Sequence, residues 1–543
     1  MKRIKLVLIS SFFAFFTFSS CEDAYNIVQD GELTESEIKT VTALQDYFNG
    51  FYANVSISDQ IGFTGIFTDE TSVGRGNGGG NKSLHRFFLT IGDDFVSRIW
   101  YDNYETINRV NRLIRMAENQ VPVPTDPAQL AQYNGILAQA RALRAFSYFQ
   151  LLTYFSTDMR DDSALGVMLF TNVPSVEDDL PRVANGLVFA QIEDDLSFAF
   201  ANVSPSATYK YVSKNMINAM RARMYLYRGN YPLAKQYAQD VISNSGLVLT
   251  PAVPIPSPIP ANPYSNLVST GGATTAWNNN FYSNSTVNPP IVSQVPYRRM
   301  WQDLIQGEVI WALDRPATGA AGTWENVAGN FTTNNSTISG SPLWEVSRAL
   351  FNKYASTMGD VRRYANVDPT SLLNPNYATV PNYISSDVIV IDKYPGKPGF
   401  ATRNDIKVFR LSEMYLILAE CLANEGNING PSNSVASVIK QIRDARNFLG
   451  PQPLPVYADA TAALSSILAE RRLELSFEGH RYIDIKRLGP LTNETLDRDN
   501  TDDDISGQPL SIPNNDYRFT LPIPLDELNG NVVIRAQQNP GYL

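Results

Sequence analysis

Gly74, Gly76 and Gly79 fall into the G-x-G-x-x-G spacing of a phosphate-cradling turn. That chemistry needs a strand before the glycines and a helix opening at the last one, so that the helix N-terminus meets the pyrophosphate. The flanking sequence shows neither and reads as a flexible loop. Asp497, Asp499, Thr501 and Asp503 have the odd-position spacing of a calcium loop. Its sixth position is Asp502 rather than glycine and its twelfth is Gln508 rather than a bidentate glutamate, so a solvated acidic turn is the better reading. The pairs Asp93/Asp94, Asp161/Asp162, Asp178/Asp179 and Asp194/Asp195 hold carboxylates, as glycosidases require. Glycoside hydrolysis wants two carboxyls facing each other across a sugar, one with a raised pKa, whereas adjacent aspartates suit helix starts and turns. With only two histidines, His85 and His480, a His-based metal site or nucleophilic relay has almost no material. The expectation is a chain with no catalytic residues, no metal and no cofactor.

Cysteine chemistry points elsewhere. Lys2, Arg3 and Lys5 precede an apolar run of 13 residues from Leu6 to Phe18, followed by Ser19, Ser20 and Cys21. The run falls short of the roughly 20 residues a membrane-spanning helix needs, and the pattern is that of an export signal covering residues 1–20. Phe18-Ser19-Ser20-Cys21 resembles a bacterial lipobox, which implies lipidation of Cys21 and a chain tied to a membrane by its acylated N-terminus. The other cysteine, Cys421, lies in an apolar helical pattern and reads as a small core residue. A net charge of −10 argues against nucleic acid as a partner.

The elements that position these residues are mostly helices. Apolar periodicity predicts helices over 37–54, 92–119, 127–156, 187–203, 213–228 and 232–244. Met216, Met220, Met224 and Tyr227 share one helix face, Gly229-Asn230 stops the helix, and Pro232 opens another with Leu233, Tyr237 and Val241 on its face. This hairpin is similar to a tetratricopeptide repeat, and residues 410–427 echo it with Leu411, Tyr415, Leu418 and Leu422. Between the two, Val241 to Tyr297 contains no Asp, Glu, Lys, Arg or His, and a similar texture returns from Ala317 to Trp344. The expected organisation is an N-terminal helical region at 21–245, a loop-rich region at 246–409 and a C-terminal region at 410–543 that completes the scaffold.

In the order "RALRAFSYFQLLTYF", "ARMYLYRGNY", "EVIWAL", "RLSEMYLILAE", "ERRLELSFEGHRYIDIKRLG" and "QNPGY", the chain resembles the SusD/RagB family of Bacteroidota nutrient-binding outer-membrane lipoproteins. The resemblance implies a mainly α fold of about four tetratricopeptide-like helix pairs, with a large loop-rich insertion, little β structure and no enzymatic activity. It implies a SusC-like TonB-dependent outer-membrane barrel as partner, over which the lipoprotein acts as a lid. Glu22 and Asp23, beside Cys21, resemble the acidic signal that sends such lipoproteins to the cell surface. In the block from Glu470 to Gly489, Leu473 and Phe477 are expected on a buried face, with Glu470, Arg471, Glu474 and Glu478 paired among themselves or with neighbouring helices and His480 packed.

The ligand does not follow from the resemblance. A neutral sugar presents an apolar CH face and a ring of hydroxyls, so its binding calls for flat aromatics beside amides and hydroxyls. Trp277, Tyr282 and Trp324 are the expected stacking surfaces, with Arg75 and Asn81 of the glycine-rich loop as polar contacts. The same loops suit an extended peptide, as in a RagB-type importer. A helical-repeat assembly scaffold is the remaining alternative.

Overall fold

A computed structural model describes residues 34–175, 177–205, 208–253, 295–316, 327–368 and 371–542. Helices dominate, in the order α1 (Val41–Tyr52), α2 (Ser58–Phe67), α3 (Asp94–Asn119), α4 (Pro127–Phe155), α5 (Asn185–Asn202), α6 (Lys214–Tyr227) and α7 (Tyr231–Asn244). After the loop-rich middle come α8 (Arg348–Ala355), α9 (Val361–Ala365), α10 (Leu411–Asn424), α11 (Val435–Arg446), α12 (Ala460–Glu474) and α13 (Arg481–Thr492). Among the described residues, three two-stranded antiparallel ribbons supply the sheet: β1 (Thr71–Val73) with β5 (Trp344–Val346), β2 (Leu165–Met168) with β3 (Arg182–Ala184), and β4 (Val309–Leu313) with β6 (Ile406–Arg410). No described helix is long and apolar enough to cross a membrane.

Helix starts follow from capping side chains. Asp93 accepts from Phe95 N at 2.9 Å and Val96 N at 3.3 Å, and Asp126 accepts from Ala128 N and Gln129 N ahead of Pro127. Each carboxylate satisfies amide groups that the first helical turn leaves without an internal partner. Every residue from Ala142 to Phe155 is buried because α4 lies between α3 and α5. The one cation in that stretch, Arg144, pairs with Asp195 at 2.7 and 2.8 Å and donates to Asn111 Oδ1 at 2.6 Å.

Among the described residues, consecutive helices pack on each other: α3 with α4 and α4 with α5, then α6 with α7, α10 with α11, and α12 with α13. In the α6–α7 hairpin, Gly229 takes a left-handed φ of 72°, and Asn230 caps α7 by accepting from Leu233 N at 3.2 Å. Met216, Met220 and Met224 are fully buried as expected. On α7 the buried line is Ala234, Ala238 and Val241, while Leu233 and Tyr237 are only half-buried. The face is turned by about one residue, and α10 is the helix that packs against α7 from outside the hairpin. Cys421 is buried on α10, where burial pushes its thiol pKa up and leaves it a poor nucleophile.

The middle of the chain joins the C-terminal helices through buried ions. Arg410 donates to Glu308 at 2.6 Å, to Glu474 at 2.9 Å and to both oxygens of Glu478 at 2.7 and 2.8 Å. Arg446 donates to Glu474 at 2.8 and 3.0 Å and to both oxygens of Glu308 at 2.9 Å. Arg362 reaches Glu470 at 2.7 Å and Asp360 at 2.6 Å, Arg443 reaches Glu470 at 2.8 Å, and Lys393 reaches Glu478 at 2.6 Å. The cations Arg362, Lys393, Arg410, Arg443 and Arg446 thus balance the carboxylates Glu308, Asp360, Glu470, Glu474 and Glu478.

Burial alone would raise the Glu474 pKa, but the Arg446 and Arg410 guanidiniums hold it well below the usual range. The expected apolar face of α12 is therefore largely ionic: Glu470, Arg471, Arg472 and Glu474 are buried, whereas Leu473 is half-buried. His480 is packed, and burial followed by the nearby Arg223 and Arg471 charges pushes its pKa down, so the ring is neutral.

Replacing Glu474 with Ala removes the carboxylate shared by Arg410, Arg446 and Arg362 and leaves buried guanidiniums under-paired. It should destabilise the fold by about 3–5 kcal/mol in urea unfolding; a loss below about 1 kcal/mol would show that the network is not a keystone.

Candidate ligand-binding site

The glycine-rich loop starts from an anchored strand. Asp69 receives two 2.8 Å hydrogen bonds from Arg481, and its neighbour Glu70 accepts from Phe477 N at 3.0 Å. Both contacts are to the block after α12, so they hold the start of β1 against the C-terminal scaffold. Strand β1 then pairs Thr71 with Val346, Ser72 with Glu345 and Val73 with Trp344. A strand therefore does precede Gly74, contrary to expectation. Its partner is antiparallel, and the helical turn Lys82–His85 opens after Asn81 rather than at Gly79. The arrangement is not a dinucleotide-binding turn.

The loop is tied down rather than flexible. Gly74 N donates to Leu343 O and Gly76 N to Pro342 O, each at 3.0 Å, and Asn77 Nδ2 donates to Leu343 O at 3.1 Å. A Cβ on Gly74 would collide with the Pro342 carbonyl, which explains glycine there. Gly78 and Gly79 take φ values of 64° and 107°, which side chains disfavour. Arg75 N donates to Glu345 Oε1 at 3.1 Å, and the exposed Arg75 side chain spans to the facing loop through Nη2 and Ile338 O at 2.9 Å. Asn81 is exposed in a left-handed conformation with φ of 56°.

The facing loop, residues 332–343, is held by hydroxyls. Thr332 Oγ1 and Thr333 Oγ1 donate to Gly340 O at 3.0 and 2.7 Å, and Phe331 at its base packs on Phe477 with ring centroids 5.6 Å apart. Thr333, Asn334, Ser339 and Ser341 are exposed along it. The two loops together present a guanidinium, amides and hydroxyls, with no carboxylate among these exposed groups. This matches the donor and acceptor set of a polyhydroxylated neutral ligand.

The charge-poor composition of 317–344 marked this segment in the sequence, but not which of its polar residues face the Gly74–Asn81 turn. Arg75 and Asn81 are brought to one surface. Trp277, Tyr282 and Trp324 lie outside the described residues, as do Cys21, Glu22 and Asp23. Among the described residues, no group of three or more His, Cys, Asp or Glu side chains is arranged to hold a metal. The calcium-loop candidates are engaged within the chain: Asp497 pairs with Arg472 at 3.3 Å, Asp499 accepts from Thr501 N and Thr501 Oγ1, each at 3.0 Å, and Asp503 pairs with Arg86 at 2.8 Å.

Three buried carboxylates lie at the base of the loop. Burial pushes Glu345 and Glu70 up to about 8 and Asp502 up to about 7, despite backbone donors to each. Glu70 Oε2 has no hydrogen-bond partner, consistent with a neutral acid.

The SusD family model matches residues 323–542. SusD-like protein P2 of Formosa agariphila is 27% identical over 100% of both chains. A SusD superfamily crystal structure from Bacteroides vulgatus superposes with a TM-score of 0.68 at 18% identity, covering 93% of this chain and 100% of the other. A laminarin-binding SusD-like protein superposes with a TM-score of 0.60 at 20% identity, covering 93% of this chain and 100% of its own. At these identities the structural likenesses establish the fold, which is the mainly helical, β-poor architecture expected from the sequence.

The raised carboxylates set a pH dependence. A folded-state pKa above the ordinary value means stabilisation that is complete below about pH 4 and lost as pH rises through about 7 to 8. The melting temperature should therefore fall between about pH 5 and about pH 8, and Glu70→Gln should flatten that fall. A melting temperature independent of pH over this range would contradict the assignment.

Proposed function

The chain is SusD-like, and from that premise we propose that it is a non-catalytic, lipid-anchored protein that binds nutrient oligosaccharides at the outer membrane. The observation that carries the reading is the carboxylate-free surface of hydroxyls, amides and the Arg75 guanidinium made by the Gly74–Asn81 turn and the loop 332–343. Among relatives of this fold, one is described as laminarin-binding.

In this reading Arg75 and Asn81 hydrogen-bond ring hydroxyls, while Trp277, Tyr282 and Trp324 offer aromatic faces to the sugar's CH groups. Trp324 precedes Val327, the start of the short turn Val327–Asn330, by three residues in the chain, and Asn330 fastens that turn to Ser58 O of α2 at 2.9 Å. Neutral partners suit a carrier because release breaks only hydrogen bonds of about 1 kcal/mol each and no buried ion pair. Cys21 supplies the anchor, Glu22 and Asp23 direct the protein to the exterior, and a SusC-like TonB-dependent barrel receives the ligand beneath the closing lid. Residues 246–409 form the ligand-binding region between helical parts at 21–245 and 410–543.

A lipid-free form of the protein starting after Cys21 and carrying Trp277→Ala and Trp324→Ala should lose at least about tenfold in oligosaccharide affinity, equivalent to about 1.4 kcal/mol, in affinity electrophoresis and calorimetry. Undiminished retention would refute the stacking role, and binding of peptides in place of glycans would transfer the site to a RagB-like importer. In the full-length lipoprotein, Glu22→Ala with Asp23→Ala should abolish surface proteolysis of intact cells; unchanged cleavage would refute the export signal.

A further inference from the structure

A second recess shares no residue with the two loops. It is a cleft of about 890 Å³ between α1, the first half of α4 and the segment after α5. This lies within the range of small-molecule sites, about 300–1,000 Å³. None of its lining residues is Asp, Glu, Lys, Arg or His, although the chain as a whole is 18% charged. An ionic ligand would find no countercharge there.

One wall is an ordered aromatic stack. Phe48 and Tyr52 stack with centroids 5.3 Å apart and an interplanar angle of 24°, and Tyr52 stacks on Tyr211 at 5.6 Å and 13°. The inner rings are buried, and Tyr52 is fixed by donating to Lys210 O at 2.7 Å and accepting from Trp311 Nε1 at 3.1 Å. The outer ring, Tyr211, is 44% exposed and lines the cleft. Its neighbour Val212 is clamped by Gln139, which donates to its carbonyl at 2.8 Å and accepts from its amide at 2.9 Å. Tyr211 is thus a preorganised flat platform.

Opposite functionality comes from amides. Gln132 and Asn134 of α4 line the cleft beside Gln45 and Asn49 of α1, where Gln45 Nε2 donates to Asn49 Oδ1 at 2.9 Å. Gly135 has nothing within 4 Å of where a Cβ would sit, so the cleft is open at that point. An aromatic platform sharing a cleft with uncharged donors and acceptors is complementary to a pyranose ring.

We propose that this cleft is a second binding site for a neutral oligosaccharide, independent of the loop site. The proposal rests on the glycan-binding reading only for its ligand class. The test uses the Trp277→Ala/Trp324→Ala protein and a millimolar panel of maltohexaose, laminarihexaose, cellohexaose, xylohexaose and mannohexaose, read by saturation-transfer difference NMR. At least one sugar should still give transfer, and adding Tyr211→Ala, or Gly135→Phe to fill the cleft without removing a polar group, should each reduce it at least about tenfold, or about 1.4 kcal/mol. Transfer that survives both additions overturns the site. So does a double-tryptophan protein that binds nothing while the unsubstituted protein binds, an outcome that leaves the loop reading standing. If the unsubstituted protein binds no member of the panel, both readings fall.

Discussion

The structure turns on a network of ten charged side chains, nine of them taken out of water together and the tenth, Arg443, closing it from the surface. Desolvating a carboxylate or guanidinium costs several kcal/mol, and only close, multiply hydrogen-bonded partners offset it. Glu474 meets this condition by accepting from Arg410, Arg446 and Arg362 at 2.8 to 3.2 Å. The partners come from distant parts of the chain: Glu308 precedes β4, Arg410 ends β6, Arg362 lies on α9, Arg446 on α11 and Glu474 on α12. A misplaced segment would strand at least one buried charge. The network therefore selects one relative placement of the loop-rich middle and the C-terminal helices, a role in specificity more than in net stability.

From that junction the placement passes to the ligand surface by short steps. Glu474 and Glu478 bracket Phe477, whose φ of 61° is held while its N–H donates to Glu70. Glu70 O accepts from Ser347 N at 2.9 Å, beside β5, and Asp69 is gripped by Arg481 and Arg472. Arg498 caps the end of α2 by donating to Phe67 O and Thr68 O at 2.8 and 2.7 Å. The β1–β5 ribbon is thus clamped at its base, and the glycine turn and the loop 332–343 extend from its far end. The turn is exposed, but its orientation is set by buried ions.

The helices were legible in the sequence because their causes are local. Periodicity places α3 and α4, and the Gly229-Asn230 stop places the α6–α7 hairpin, within two or three residues of their observed limits. The block beginning at Glu470 was legible as a set of paired charges around a packed Phe477, but the particular partners were not. A helix carrying Glu470, Arg471, Arg472 and Glu474 reads as partly solvated, and what buries it are Arg362, Arg410, Arg443 and Arg446, up to 112 residues away along the chain. The strand before Gly74 was missed for a related reason: three residues carry too little pattern, and β1 is specified by a partner 274 residues onward at Val346. On the candidate surface, composition marked the segments but not their pairing, because the Arg75 bridge to Ile338 depends on both loops being folded.

The distribution of charge separates two tasks. The interior uses ion pairs, which are directional and costly to leave incomplete, to fix where each segment sits. The loop surface and the α1–α4 cleft present mainly amides, hydroxyls and rings, groups that suit a neutral ligand because neither side would carry a large desolvation penalty. Because the fixing contacts lie at the base of the loops and not at their tips, residues such as Asn334 or Ser339 contribute little to the ionic frame. These positions can therefore change without disturbing Glu474 or Arg410, so the exposed side chains of the two loops are the part of this chain least constrained by its architecture.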